Sequence, residues 1–282
     1  MIPIDAFRES VTTIGGRTLA WLEWGGERPE PPVVCLHGAM GGSHVWDQMA
    51  ARLAGDHRVI VPDLRGHGDS DWASPPAYGL RDYRADLEAL LERLEVKRYS
   101  LVAHSLGALV ALMTAGANPD AVRKLVVVDI AAKPPMGQIE HLREVGERGH
   151  RVLPDYESTV EAARTFLPEV DGESVSWMVP YLFKRAPGGH VPKWDPATLV
   201  GLERWNVEPW LARIRCPVLI VRGSASSMLS ETEAEAMAER IDASRLVTIA
   251  GTGHQVMMQA PEAFGEAVEC FLREGESESE AG

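Results

Sequence analysis

Ser105 stands in the run Leu101-Val102-Ala103-His104-Ser105-Leu106-Gly107-Ala108, between an apolar, β-prone stretch (Tyr99–Ala103) and a helix-like stretch (Leu106–Ala117). A serine where a buried strand turns sharply into a helix is held in strained backbone with its hydroxyl exposed. Small residues two positions to either side let that turn close without Cβ clashes. Ala103 and Gly107 occupy those two positions, alanine being the mildest departure from Gly-x-Ser-x-Gly. A hydroxyl presented this way is a nucleophile if a base reaches it. The competing reading is a serine that only caps the helix after it.

The other residues with chemistry to offer follow strand-like runs. His37-Gly38-Ala39-Met40-Gly41-Gly42 comes straight after Val33-Val34-Cys35-Leu36. Backbone N–H groups in such a loop can point at a developing oxyanion, and the donors assigned here are those of Ala39 and Leu106. His37, Met40 and His104 are expected beside the substrate. Asp63-Leu64-Arg65-Gly66-His67-Gly68-Asp69-Ser70 is rich in turn formers and reads as a brace beneath the site. Gly251-Thr252-Gly253-His254 puts a histidine on a glycine loop after the last strand, a place suited to a general base. A histidine base needs a carboxylate to orient it. The loop after the penultimate strand holds Ser226 and Ser227, with no acid before Glu231. Glu231 and Glu233 fall in the first turn of a helix, where acidic residues are commonplace. Asp129 ends the strand after the Ser105 helix, so it is the predicted acid, with Glu231 as the alternative.

Those residues need a frame. Glu9–Ile14 and Arg17–Trp24 read as strands joined at Gly15-Gly16. Short apolar runs at Val33–Leu36, Arg58–Val61 and Lys124–Val128 read as strands buried on both faces, and the strand pattern returns at Val218–Val221 and Leu246–Ile249. Ser43 is expected to cap a helix reaching Leu53, and Leu80–Leu94 carries a helical stripe of Leu87, Leu90, Leu91 and Leu94. Strands alternating with helices imply right-handed crossovers and a mostly parallel sheet. The alternation stops from Lys133 to Trp210, a helical or irregular stretch with Trp177, Trp194, Trp205 and Trp210. An insertion above the C-terminal ends of an open sheet reads as a cap over the ligand crevice. Trp177 and Trp205, with Met178, Leu182 and Phe183, are candidates for its apolar roof, and the favoured reading of any single tryptophan is that it packs the cap onto the core. Lys184, Arg185, His190 and Lys193 could bind a substrate carboxylate, with surface solvation the favoured reading of each. The expected divisions are a core of residues 1–132 and 211–273, a cap of 133–210, and an acidic, solvated tail of 274–282.

The chain has 282 residues, enough for one large α/β domain with an insertion, and a net charge of −13 from 41 acidic and 28 basic side chains. That balance argues against nucleic acid or an anionic membrane as partner, and it does not define the substrate, because a local pocket can differ from the net field. Cys35, Cys216 and Cys270 are far apart in sequence and read as core thiols rather than a disulfide or metal set. The N-terminus shows no secretory pattern, and no apolar run spans a bilayer. A cytoplasmic protein is expected. Oligomeric state is not readable.

Together, His37-Gly38, Asp63 to Ser70, the Ser105 elbow and Gly253-His254 followed by Pro261-Glu262-Ala263-Phe264 resemble the α/β-hydrolase superfamily over nearly the whole chain. Within it the chain is similar to the cap-bearing branch of small-molecule esterases, lactonases and C–C bond hydrolases. The resemblance implies an eight-stranded, mostly parallel sheet flanked by helices, with a helical cap inserted after strand six. It also implies a cofactor-independent serine hydrolase acting on an ester or lactone through an acyl-enzyme. Alternatives on the same fold are C–C cleavage of a diketone, a cofactor-free oxygenase or perhydrolase, and a ligand receptor. Serine at the elbow departs from the dehalogenases and epoxide hydrolases, which carry aspartate there. Many relatives carry a carboxylate near Ser226 and Ser227. Its lack here resembles the minority whose acid follows strand six.

Overall fold

The computed structural model describes residues 6–26, 31–133, 135–168, 170–200 and 205–274. Most of the acidic tail (275–282) and residues 1–5 lie outside the described residues. The chain opens with β1 (Arg8–Ile14), β2 (Arg17–Trp24), β3 (Val33–Leu36), α1 (Asp47–Leu53), β4 (Val59–Pro62) and α2 (Leu80–Arg93). Then come β5 (Tyr99–His104), α3 (Leu106–Ala117) and β6 (Val122–Val128). An inserted segment carries α4 (Met136–Arg148), α5 (Tyr156–Phe166), α6 (Gly172–Leu182), β7 (Phe183–Ala186), β8 (Gly189–Pro192) and α7 (Glu208–Leu211). The chain closes with β9 (Val218–Gly223), α8 (Glu231–Glu239), β10 (Ser244–Ile249), α9 (Val256–Gln259) and α10 (Pro261–Arg273).

Eight strands form one sheet in the order β1-β2-β4-β3-β5-β6-β9-β10. β2 runs antiparallel to both neighbours, and the pairings from β4 to β10 are parallel. The fold is that of an α/β hydrolase. Successive strand residues face opposite sides, and both sides are buried. Val34, Leu36, Leu101, Ala103, Leu125 and Val127 pack with α2, α3 and α8. Val33, Cys35, Val102, Val126 and Val128 pack with α1 and α10 on the other side.

From β3 the chain steps outward to β4 and then back past β3 to β5. Loops leaving the strand ends on either side of such a reversal diverge and open a crevice. The register aligns those ends. Leu36 pairs with Ala103, His104 with Val128, Val128 with Val221, and Gly223 with Ile249. The loops after β3, β5, β6, β9 and β10 therefore share one edge of the sheet.

Several expectations change. The helix after β3 starts as a 3-10 turn, Ser43–Trp46, with Gly42 at its N-cap and no side-chain cap. Ser43 instead donates its N–H to the Asp63 carboxylate at 2.6 Å. The inserted segment is not wholly helical, since β7 and β8 form an antiparallel hairpin and Leu153 bridges to His190. Its helices α5 and α6 bury a small core of their own around Ala163, Val175, Met178 and Val179. Cys35 and Cys216 are buried, but Cys270 is exposed, because it falls outside the apolar stripe of Phe264, Val268, Phe271 and Leu272 on α10. Among the described residues, no helix is long and apolar enough to cross a membrane.

Candidate active site

Ser105 occupies the turn between β5 and α3 with φ 50° and ψ −117°. It holds the N-cap position of α3, yet its side chain makes no capping bond, so the hydroxyl is not spent on the helix. Its backbone N–H is bound by the Val128 carbonyl at 3.1 Å, which pins the elbow to β6. A Cβ on Gly107 would lie 2.5 Å from the Leu36 carbonyl oxygen and 2.7 Å from that of His37. Only glycine lets α3 start this close to β3, and the Gly107 N–H uses that approach to bind the His37 carbonyl at 3.1 Å. Met40 (φ 62°) and Asp129 (φ 53°) also hold the left-handed conformation. Three of the four non-glycine residues with positive φ among the described residues thus sit at this one sheet edge. Such strain persists only where surrounding structure over-determines it.

Asp129 follows β6 and is fully buried. Its Oδ1 accepts the Gly223 N–H at 2.9 Å, and its Oδ2 accepts the Ser226 hydroxyl. The same Oδ2 accepts from His254 Nδ1 at 2.8 Å. Glu231 is exposed at the first position of α8, whose N-cap is Ser230, and does not meet His254. His254 and Ser105 line one cavity of about 270 Å³. Among the described residues no hydrogen bond joins their side chains. Catalytic hydrogen bonds in free enzymes commonly tighten only when substrate binds.

His104 is buried beneath His254, with ring centroids 4.5 Å apart. Its Nε2 donates to the His254 carbonyl at 2.9 Å, which tethers the backbone of that loop. Burial, and then the neighbouring His254, hold the His104 imidazole well below the usual histidine range. It is therefore neutral and stays fixed at neutral pH. The Ala39 and Leu106 N–H groups donate no hydrogen bond among the described residues. Ala39 and Met40 line the cavity with Ser105, and Leu106 is the first residue of α3 beneath it.

Three residues expected at the substrate do not line the cavity that holds Ser105. His37 is fully buried and bridges two loops, its Nδ1 donating to the Gly38 carbonyl and its Nε2 accepting the Leu64 N–H. Burial lowers it to about 4. Trp177 faces outward on α6, 37% exposed and 5.0 Å from the Tyr181 ring. Trp205 is buried in the core cluster on the α2–α3 side of the sheet. The insertion instead offers Gln138, His141 and Leu142 from one face of α4, and Thr165, Phe166 and Leu167 from the end of α5. The spacing 138, 141, 142 is a helical face and is present in the sequence, but nothing local says which face of α4 meets the sheet. Ser227 and Met228 line the cavity after β9, and Gln138 Nε2 donates to Ser227 Oγ at 3.2 Å. Among the described residues, no Lys or Arg lines the cavity. Lys193 pairs with Asp69, and Lys184 lies over Trp72.

The Asp63–Ser70 loop braces the edge from below. Asp63 is buried, accepting the N–H groups of Ser43 and Asp69, and burial raises its carboxyl. Arg65 forms a bidentate pair with Asp86 at 2.5 and 2.6 Å. His67 is buried and lowered to about 3 by that burial. No group of three or more His, Cys, Asp or Glu among the described residues could hold a metal ion.

Residues 33–267 match the model of the Alpha/beta hydrolase family. The chain is 27% identical to the 3-hydroxybutyrate-oligomer hydrolase of Cupriavidus necator, over 95% of this chain and 98% of that one. It is 26% identical to the 2-(acetamidomethylene)succinate hydrolase of Mesorhizobium japonicum, over 96% and 97%. A crystal structure of E-2-(acetamidomethylene)succinate hydrolase superposes with a TM-score of 0.87 at 26% identity, covering 94% of this chain and 99% of the other.

Proposed function

From the premise that this chain belongs to the alpha/beta hydrolase family, we propose that it is a serine hydrolase of small-molecule carboxylic esters or lactones, working through an acyl-enzyme. Ser105 Oγ attacks the carbonyl carbon while His254 Nε2 takes its proton. Asp129 accepts the His254 Nδ1–H, which orients the ring and stabilises the imidazolium. The Ala39 and Leu106 N–H groups receive the oxyanion, each such donor contributing about 3 kcal/mol to the transition state. The tetrahedral intermediate collapses, the alcohol leaves with the proton from His254, and Ser105 is acylated. Water then gives a proton to His254, attacks the acyl carbon and releases the acid, and Ser105 regains its proton. The reaction as written needs no cofactor.

The observation that carries this reading is the 2.8 Å contact between His254 and Asp129 on the wall of the cavity that Ser105 also lines. A fluorophosphonate is expected to label wild-type protein on the peptide holding Ser105, and Ser105→Ala is expected to abolish labelling. Hydrolysis of an activated ester should fall by roughly four to six orders of magnitude in that variant. Unchanged hydrolysis would end the proposal. Oxygen uptake without hydrolysis would favour an oxygenase, tight ligand retention without turnover a receptor, and preferred cleavage of a vinylogous 1,5-diketone a C–C hydrolase.

A further inference from the structure

A second cavity of about 450 Å³ lies between α6, the start of α1 and α9. Its apolar walls are Val45, Met49, Met178, Met257, Met258 and Trp177, and His44, Gln48 and Ser174 line it as well. Val45 and Met257 also line the Ser105 cavity, so the two spaces share part of a wall. Val45 is only half-buried, and Met257 is unbranched. Methionine side chains re-pack around irregular apolar shapes at little cost. Asp171 and Glu173 stand at the outer end, both exposed, and the Asp171 carboxylate is occupied with the Glu173 and Ser174 N–H groups of α6. Among the described residues, no Lys or Arg lines either cavity.

We infer that the two cavities form one elongated site, and that the second takes a linear apolar chain of the substrate with an uncharged end. This rests on the serine-hydrolase reading. The methionine walls suit an alkyl chain. A terminal carboxylate would lose its hydration against these apolar walls, so the site favours an uncharged chain end. The chain belongs to either the acyl or the alcohol half of the ester, and the two ester series below separate them.

The test uses the full chain with p-nitrophenyl alkanoates from acetate to decanoate and with alkyl acetates from ethyl to decyl. In one series kcat/KM is expected to rise roughly two- to fourfold per methylene up to about eight carbons, as each methylene leaves water. Met258→Trp and Ser174→Trp each fill the second cavity without touching the first, and each should lower the octanoate-to-acetate ratio, or its octyl counterpart, at least tenfold. A terminal carboxylate on the long chain should cost at least tenfold against its methyl-ended counterpart. A flat or falling profile in both series, or ratios unmoved in both variants, overturns the inference. Acetate hydrolysed equally by Ser105→Ala, or no ester hydrolysed at all, fails the serine-hydrolase reading instead. Decanol binding by calorimetry, present in wild type and lost in Ser174→Trp, then decides the chain site alone, and no binding in wild type rejects it.

Discussion

His254 and His44 each donate a ring N–H to an aspartate Oδ2 at 2.8 Å, His254 to Asp129 and His44 to Asp47. The surroundings of the two pairs differ. Asp129 also accepts the Gly223 N–H and the Ser226 hydroxyl. Asp47 leaves Oδ1 buried without a partner, and burial pushes its carboxyl up to about 6. A buried carboxylate keeps its charge only through the donors aimed at it. The imidazoles differ too. The His254 side chain is 25% exposed and lines the Ser105 cavity. The His44 side chain is 9% exposed and stacks on Tyr181 at 3.6 Å. A histidine–carboxylate contact is therefore not chemistry by itself. Donors behind the acid and an open ring face in front of it make the first pair fit for proton transfer, while the second ties the start of α1 to α6.

The hardest test exchanges each acid for its amide. With an activated ester, Asp129→Asn is expected to lower turnover by about 10³ to 10⁴, whereas Asp47→Asn stays within about threefold of wild type. Comparable losses would erase the contrast.

The imidazoles buried without any carboxylate partner extend the comparison to acid stability. His37, His67 and His104 are all held below their ordinary range, chiefly by burial. Below about pH 6.5 the unfolded chain takes up protons that these folded rings refuse. Stability is thus full above that pH and declines as pH falls toward about 4 for His37 and about 3 for His67. Each ring contributes up to about 1.4 kcal/mol per pH unit, partly offset by the raised Asp47 and Asp63. Urea midpoints should fall between pH 7 and pH 5, and a constant midpoint would contradict this account.

Ser226→Ala removes one donor from Asp129 and leaves the His254 contact in place. A hydrogen bond to a charged group is worth about 1.5–3 kcal/mol, so kcat should drop roughly ten- to a hundredfold with KM little changed. Ser226→Thr should restore most of it. An unaffected kcat in the alanine variant would mean that the Gly223 N–H alone sustains the carboxylate.

The smallest effect concerns the stability of the other pair. Asparagine at position 47 can still accept from His44 while removing a poorly solvated charge. Asp47→Asn should add about 1–2 kcal/mol of unfolding free energy at pH 7.5. Because the folded-state carboxyl is raised, the wild-type penalty is full above about pH 6 and is relieved progressively below it, so the gain should shrink by about half at pH 5 and vanish near pH 4. Destabilisation at both pH values would show that the charge on Asp47 is needed.

Much of the frame was legible in the residues, because its signals are local. Runs such as Val33–Leu36 and Val218–Val221 are too short and too apolar for anything but strands buried on both faces, and both are strands. The small residues around Ser105 announced a tight strand-to-helix turn, and the backbone there has φ 50°. Trp205 shows the limit, since an indole that suited a pocket roof is buried in the core instead. So does α4, whose spacing of Gln138, His141 and Leu142 marks a face without saying what it faces. The sequence by itself determined the strands, the elbow and the glycine loops, since each follows from side-chain periodicity and backbone freedom within a few residues. Only the tertiary structure decided that Asp129 rather than Glu231 meets His254, 125 residues away, and that α4 and α5 rather than Trp177 and Trp205 cover the cavity. Those contacts depend on strand order, on the register that aligns Val128 with Val221 and Gly223 with Ile249, and on the rotation of each helix about its axis. Register and rotation are set when whole surfaces pack together, and no short stretch of chain encodes them.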